Sequence, residues 1–260
     1  MGIFLSLFIF TFGLIIGSFL NCVIYRLETK KNFLKGRSFC PRCKHVLNWQ
    51  DLAPIFSFLI LIGKCRYCKK KISWQYPAVE LATGLLFLLI FSALGGIPSL
   101  RDNFQTIASF LYLLIISALL IVIFVFDLKN YIIPDKVLFP AIGLVFLFRI
   151  FNFSSLPNFL LSAFFASLFF FAIFFFSKGL WMGFGDVKLA FFMGLFLGFP
   201  NILAALFLSF LFGAIIGLSL IFLRKKSLKS ELPFGPFLIL GTFIALFWGN
   251  SLINWYLSLL

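Results

Sequence analysis

Charge is what this chain has least of. Only 12% of its 260 residues are Asp, Glu, Lys or Arg, while 62% are hydrophobic. A soluble domain of this length needs far more polar surface, so a water-soluble enzyme is excluded. Acid is scarcer still: eight Asp and Glu stand against 22 Lys and Arg. There is one histidine, His45, and no HExxH sequence. A Ser/His or Cys/His nucleophile set and a zinc protease of the HExxH type are therefore not supported. No Ser/Gly linker, acidic tail or internal repeat is visible. No basic segment precedes the first apolar run, which argues against a cleaved secretory signal and for an uncleaved first span.

Long apolar runs take the place of charge. They fall at about 3–25, 78–97, 104–126, 132–150, 156–177, 181–199, 201–223 and 233–258. Crossing a hydrocarbon core of about 30 Å takes roughly 20 such residues. The expectation is an all-α polytopic membrane protein with about eight transmembrane helices. Its 42 Phe stand in for Leu in many spans and imply no chemistry. The net charge of +14 then reads as topology. With both termini outside, 20 of the 22 basic residues fall on the cytoplasmic side, and only Arg101 and Arg149 do not. Arg224 to Lys229 read as a topology anchor. The expected partner of this charge is the lipid bilayer, not nucleic acid. The chain divides into a first helix at 1–25, a cytoplasmic loop at 26–77, and a transmembrane domain at 78–260. The loop is the one unit expected to be soluble, and it holds twelve of the basic residues.

That loop carries Cys40-Pro-Arg-Cys43 and Cys65-Arg-Tyr-Cys68, with 21 residues between the pairs. Two CxxC knuckles at about this distance are a zinc-ribbon signature, since each aims two thiolates at one ion. The competing readings are two disulfides or four free thiols, and a reducing compartment disfavours the first. A loop this short has little apolar area for a core, which gives a structural zinc a physical purpose. His45 reads as a bystander, because four cysteines complete the tetrahedron. Cys22 lies inside the first span and reads as a small buried side chain.

Three acids stand apart from those in loops: Asp127, Asp135 and Asp186. Asp127 ends the third span, and Asp186 opens the sixth within Gly183-Phe184-Gly185-Asp186-Val187-Lys188. Charge parity puts both at the same depth, near the cytoplasmic face. Acids held near apolar surroundings are costly and are candidates for function. Two carboxylates at one depth suit aspartyl proteolysis, in which one activates water and the other donates a proton to the scissile carbonyl. Gly183 and Gly185 remove side chains beside Asp186 and leave room for an extended substrate. The plainer alternative makes Asp127 a helix end paired with Lys129 or Lys188. Asp135, after Ile133-Pro134, reads as the cap of the fourth span. Two rival functions are a non-enzymatic membrane scaffold with a structural ribbon and an ion carrier, which would need acids near the bilayer centre.

Several separated motifs share one order. Gly17-Ser18-Phe19-Leu20-Asn21 with Tyr25-Arg26 is followed by the two CxxC pairs. Next come Ile72-Ser73 and Tyr76-Pro77 with Glu80, Asp127 with Ile133-Pro134-Asp135, the Gly183 to Lys188 segment, and Pro233-Phe234-Gly235-Pro236-Phe237. Together they resemble the bacterial type IV prepilin peptidases, of the GxGD aspartyl protease family, from about residue 17 to 241. The resemblance implies an enzyme that removes the basic leader of type IV prepilins or type II secretion pseudopilins at the inner membrane. It implies S-adenosylmethionine-dependent N-methylation of the new N-terminus afterwards. Asp127 and Asp186 match the two catalytic acids, and Cys40, Cys43, Cys65 and Cys68 the ribbon cysteines. Glu80 matches an acidic position whose role stays open. No Gly-rich loop marks the methyl-donor site.

Overall fold

A computed structural model describes residues 2–30, 36–96, 104–151, 156–223 and 231–259. The Arg224 to Lys229 anchor lies outside the described residues. The chain is all-helical, as expected, and divides into two compact units, Met1–Val122 and Ile123–Leu260.

The first unit is built on α1 (Gly2–Glu28) and α3 (Gln75–Ala93), with a short α2 (Phe56–Ile60) between them in sequence. It ends inside α4 (Phe104–Asn130). α1 and α3 approach through small residues. A Cβ on Gly17 would lie 2.6 Å from the Glu80 Cα, and one on Gly13 would lie 2.7 Å from the Gly84 Cα. This is the small-xxx-small contact by which apolar helices associate where no hydrophobic driving force separates protein from lipid. Polar groups inside the pair are satisfied locally: Asn21 Nδ2 donates to the Tyr76 carbonyl at 3.0 Å, and Thr83 Oγ1 to Val79 O at 2.7 Å.

The second unit takes the end of α4, then α5 (Asp135–Ile150), α6 (Leu156–Phe176), α7 (Phe184–Leu197), α8 (Asn201–Phe222) and α9 (Gly235–Leu257). α7 packs against α5, α6, α8 and α9. Its Asp186, Val187, Leu189, Ala190 and every residue from Phe192 to Leu197 are buried, so protein and not lipid surrounds most of it. Gly194 makes this possible: its Cβ would stand 2.5 Å from the Ala163 Cα of α6. Arg149, left on the outer side by the charge count, is held by protein. It donates from Nη2 to the Phe196 carbonyl and lies 3.6 Å over the Phe159 ring.

Among the described residues, six helices are long and apolar enough to cross a membrane. The expected spans at 132–150 and 181–199 are α5 and α7, of only 16 and 14 residues. At 1.5 Å per residue they reach about 24 and 21 Å, short of a hydrocarbon core. α7 is enclosed by other helices, whereas α5 leaves Phe139, Leu144, Phe146 and Leu147 exposed, as a lipid-facing helix would.

Candidate functional site

The carboxylate site forms where three chain ends meet. α4 runs until the Tyr131 amide donates to Asp127 O at 2.9 Å, and Tyr131 takes a positive φ of 58° that stops the helix. Pro134 then fixes the entry to α5, since it lacks an N–H and its φ is preset. Asp127 sits in the last turn of α4 and is 4% exposed. The backbone N–H of Gly235, the first residue of α9, donates to its carboxylate. That N–H is one of the four donors every helix start leaves unpaired.

Asp186 lies in the first turn of α7 and is also buried. Gly183, extended at φ −76° and ψ 151°, is the residue before the helix, which makes Asp186 its third position. The Asp186 carboxylate takes the Gly183 N–H, the acidic half of a capping box. Asp127 is close enough for its charge to act on Asp186.

Ile133 joins the two sides. A Cβ on Gly185 would lie 3.1 Å from the Ile133 Cβ. One on Gly235 would lie 2.5 Å from Asp127 Oδ2 and 3.4 Å from Ile133 Cδ1. The glycine beside Asp186 and the glycine beside Asp127 thus press on one buried isoleucine. Gly185 serves this helix-to-turn approach. Gly183 faces Asp186, its Cβ position being 3.7 Å from Oδ2. The motif segments that contain Ile133 and Gly235 were legible in the sequence; the role of either residue was not.

Asp135 does not cap α5. The cap position is Pro134, and Asp135 is the first helical residue with no capping bond. Its carboxylate pairs instead with the Lys188 ammonium, two residues past Asp186. Lys188 also lies 5.6 Å from the Phe139 and Phe184 ring centres. An acid at the first helical position points past the free amides, and a lysine within reach is the better partner. This also removes Lys188 as a partner for Asp127.

The four expected cysteines come together. The sulfur atoms of Cys40, Cys43, Cys65 and Cys68 all lie within 4.8 Å of one another, and Cys40 Sγ is 4.0 Å from Cys68 Sγ. Four thiolates around one ion at about 2.3 Å would stand about 3.8 Å apart, so the donor set fits a tetrahedral metal. The knuckles repeat one backbone pattern. Cys40 N donates to His45 O and Lys44 N to Cys40 O; Cys65 N donates to Lys70 O and Lys69 N to Cys65 O. Lys44 and Lys69 both take positive φ, 59° and 57°. The chain thus holds a short repeat, Cys-x-x-Cys-Lys, that the sequence reading had passed over. Burial raises the Cys40 thiol, but amide donors from Cys43 and Arg42 outweigh it and bring it to about 7. Cys43 receives the His45 amide, yet its desolvation and its sulfur neighbours raise it to about 11. His45 lies against Tyr67, with ring centres 3.6 Å apart and the planes tilted by 34°, and is not among the clustered ligands.

Glu80, whose role the sequence left open, is 7% exposed and accepts the Ile55 amide at 2.7 Å and the Ser18 hydroxyl. Arg26 at the end of α1 donates to the Gly36 carbonyl at 2.6 Å. Gly17, Ser18, Asn21 and Arg26 of the first motif therefore serve the fit of α1 to α3 and to the loop.

Two family descriptions match this chain. Residues 11–94 match the bacterial peptidase A24 N-terminal domain, and residues 114–218 match the type IV leader peptidase family. Among curated proteins, the chain is 33% identical to a prepilin leader peptidase/N-methyltransferase of Aeromonas salmonicida (strain A449), over 96% of this chain and 93% of that one. It is 34% identical to proteins of the same name from Legionella pneumophila, over 98% and 95%, and Bacillus subtilis (strain 168), over 96% and 97%. No solved structure matches it. With relatives this similar along almost their whole length, and with six apolar helices of membrane-spanning size, this multi-pass membrane protein belongs to the type IV leader peptidase family.

Proposed function

We propose that this chain is an aspartyl endopeptidase that cleaves the basic leader from type IV prepilins or type II secretion pseudopilins, with Asp127 and Asp186 as its catalytic pair. The observation that carries this reading is the meeting of the two buried carboxylates around Ile133, from helices far apart in sequence. In the reaction, the ionised carboxylate takes a proton from water as the oxygen attacks the scissile carbonyl. The protonated one gives its proton to the carbonyl oxygen. The tetrahedral intermediate then collapses, the C–N bond breaks, and the amine leaves with a proton returned through the pair. The Gly235 and Gly183 amides hold the carboxylates in place. The substrate enters beside Gly183, whose missing side chain faces Asp186.

The names of the relatives support a second activity, N-methylation of the new N-terminus. In this reading S-adenosylmethionine would supply the methyl group. The domain reading follows: 26–77 serves methylation and carries structural zinc on Cys40, Cys43, Cys65 and Cys68, while 78–260 carries the peptidase. The enzyme resides in the inner membrane with its termini outside and its active site at the cytoplasmic face, the arrangement favoured by the basic residues. The scaffold alternative gives no reason for two buried acids to meet.

The test is cleavage of a prepilin by the purified full chain in detergent, with Asp127→Asn and Asp186→Asn beside the unaltered protein. Loss of cleavage in both is expected, and retained cleavage in either overturns the pair. Product mass with and without S-adenosylmethionine reads the second activity through the gain of one methyl group.

A further inference from the structure

The loop between α1 and α3 is not shaped like a water-soluble unit. Phe56, Leu59, Ile60 and Ile62 are 64, 63, 76 and 82% exposed, and Trp74 is 75% exposed. Scattered exposed apolar residues are ordinary, but four on one short helix and its exit, with a tryptophan beside it, form a patch that water does not favour. The interior of the loop had apolar side chains to use: Phe58 is buried, with Gly63 against its ring. The outward residues are therefore the ones the fold leaves over.

The position of α2 shows what covers it. The Ile55 amide, at the start of α2, is bound by Glu80, five residues inside α3 and about 7.5 Å along it. The Phe58 ring packs on Trp74 with centres 5.0 Å apart. Trp74 immediately precedes α3, a helix of membrane-spanning length. α2 is thus fastened beside the first turns of a span and does not stand off in solvent. Helices that lie in the bilayer surface place their apolar face about 5–10 Å into the boundary of headgroups and acyl chains, the depth this tether gives. Tryptophan and tyrosine favour the same level, and Trp74 and Tyr76 mark it. Exposed Lys69, Lys70 and Lys71 precede Trp74 by three to five residues, where phosphate headgroups would lie.

We propose that α2 and its exit to Ile62 lie in the headgroup layer of the membrane that α3 crosses, with Phe56, Leu59, Ile60 and Ile62 in lipid and Lys69 to Lys71 on anionic phospholipid. The occupant is lipid and not a protein partner because the patch is fastened beside a membrane span and the chain runs on from it into the exposed Lys69, Lys70 and Lys71. Glu80 and Ser18 act as the tether. Ile55 keeps a positive φ of 59°, unfavourable for a β-branched residue, at the point where its amide is held.

The test uses the full chain in phosphatidylcholine vesicles with and without phosphatidylglycerol. Ile60 is replaced by a genetically encoded fluorescent amino acid, which leaves the ribbon cysteines alone. Quenching by lipids brominated near the headgroup, with protection from aqueous iodide, is expected. Iodide quenching without bromolipid quenching overturns the proposal, as does protection that appears only when prepilin is added. The charge is read by comparing brominated phosphatidylglycerol with brominated phosphatidylcholine. The anionic lipid should quench several-fold more strongly, and Lys69→Gln/Lys70→Gln/Lys71→Gln should bring the ratio to about one. A ratio of one in the unaltered chain overturns the anionic contact. A second variant, Phe56→Ser/Ile60→Ser with a probe at Leu59, should move that probe into water while the metal content stays unchanged.

Discussion

Asp135 and Lys188 form an ion pair that ties the start of α5 to the first turn of α7, across the site that holds Asp127 and Asp186. It is half exposed on the aspartate side, so its worth to stability is small, about 1 kcal/mol or less. Asp135→Asn should leave the melting temperature nearly unchanged and retain more than about a tenth of cleavage. Complete loss of cleavage with an intact fold would place Asp135 among the reacting groups. The exchange Asp135→Lys/Lys188→Asp should recover what either single change loses.

Asp127→Asn and Asp186→Asn keep size and shape, and the Gly235 and Gly183 amides can still donate to the asparagine oxygen. Each should lower cleavage by about 10²–10⁴-fold with little change in thermal unfolding. The unaltered enzyme should show a bell-shaped pH profile. At low pH both acids are protonated and no base remains, and at high pH both are ionised and no acid remains. A profile that is flat on one side would show that one carboxylate is not needed in a fixed state.

Gly235 and Gly185 separate space from chemistry. A methyl at Gly235 meets Asp127 Oδ2 at 2.5 Å, so Gly235→Ala should abolish cleavage by displacing the carboxylate. At Gly185 the neighbour is the Ile133 side chain at 3.1 Å. Gly185→Ala should be milder, and Ile133→Ala in the same chain, which removes the atoms at 3.4 and 3.5 Å, should restore part of the rate. Failure of that rescue would mean the glycine serves the substrate and not the packing.

Metal content reads the ribbon. The purified chain should carry one zinc, and Cys40→Ser or Cys65→Ser should lose it, because each removes a buried donor from a set of four. Stripping the metal should open the loop to protease while prepilin cleavage falls less than about tenfold. Metal affinity should weaken as pH falls, since protons compete for the thiolates. A chain without metal whose loop still resists protease would refute the staple.

Gly17→Val tests the first helix pair. The added atoms meet the Glu80 Cα, a backbone atom that cannot swing away. Overpacking of this kind costs about 1–3 kcal/mol, and a lower melting temperature in detergent is the expected readout. An unchanged melting temperature would show that α1 and α3 can separate freely.

What the sequence alone determined is what depends on neighbours along the chain. Apolar runs gave the helices, because every backbone group in lipid must bond within its own segment. The CxxC spacing gave the cysteine cluster, because a knuckle is a local turn. The scarcity of acid singled out Asp127 and Asp186. Tertiary structure alone decided which groups meet. Asp127 and Asp186 belong to different helices, and only the packing of α4, α7 and α9 around Ile133 brings them together. Lys188 could have answered Asp127 by sequence, and geometry gave it to Asp135. α7 read as a full span, yet it is enclosed by other helices, since hydropathy measures dislike of water and not the nature of what replaces it. The loop at 26–77 read as soluble from its charge. The bond between Ile55 and Glu80 sets α2 beside a membrane span, a placement fixed by one long-range hydrogen bond that no local pattern encodes.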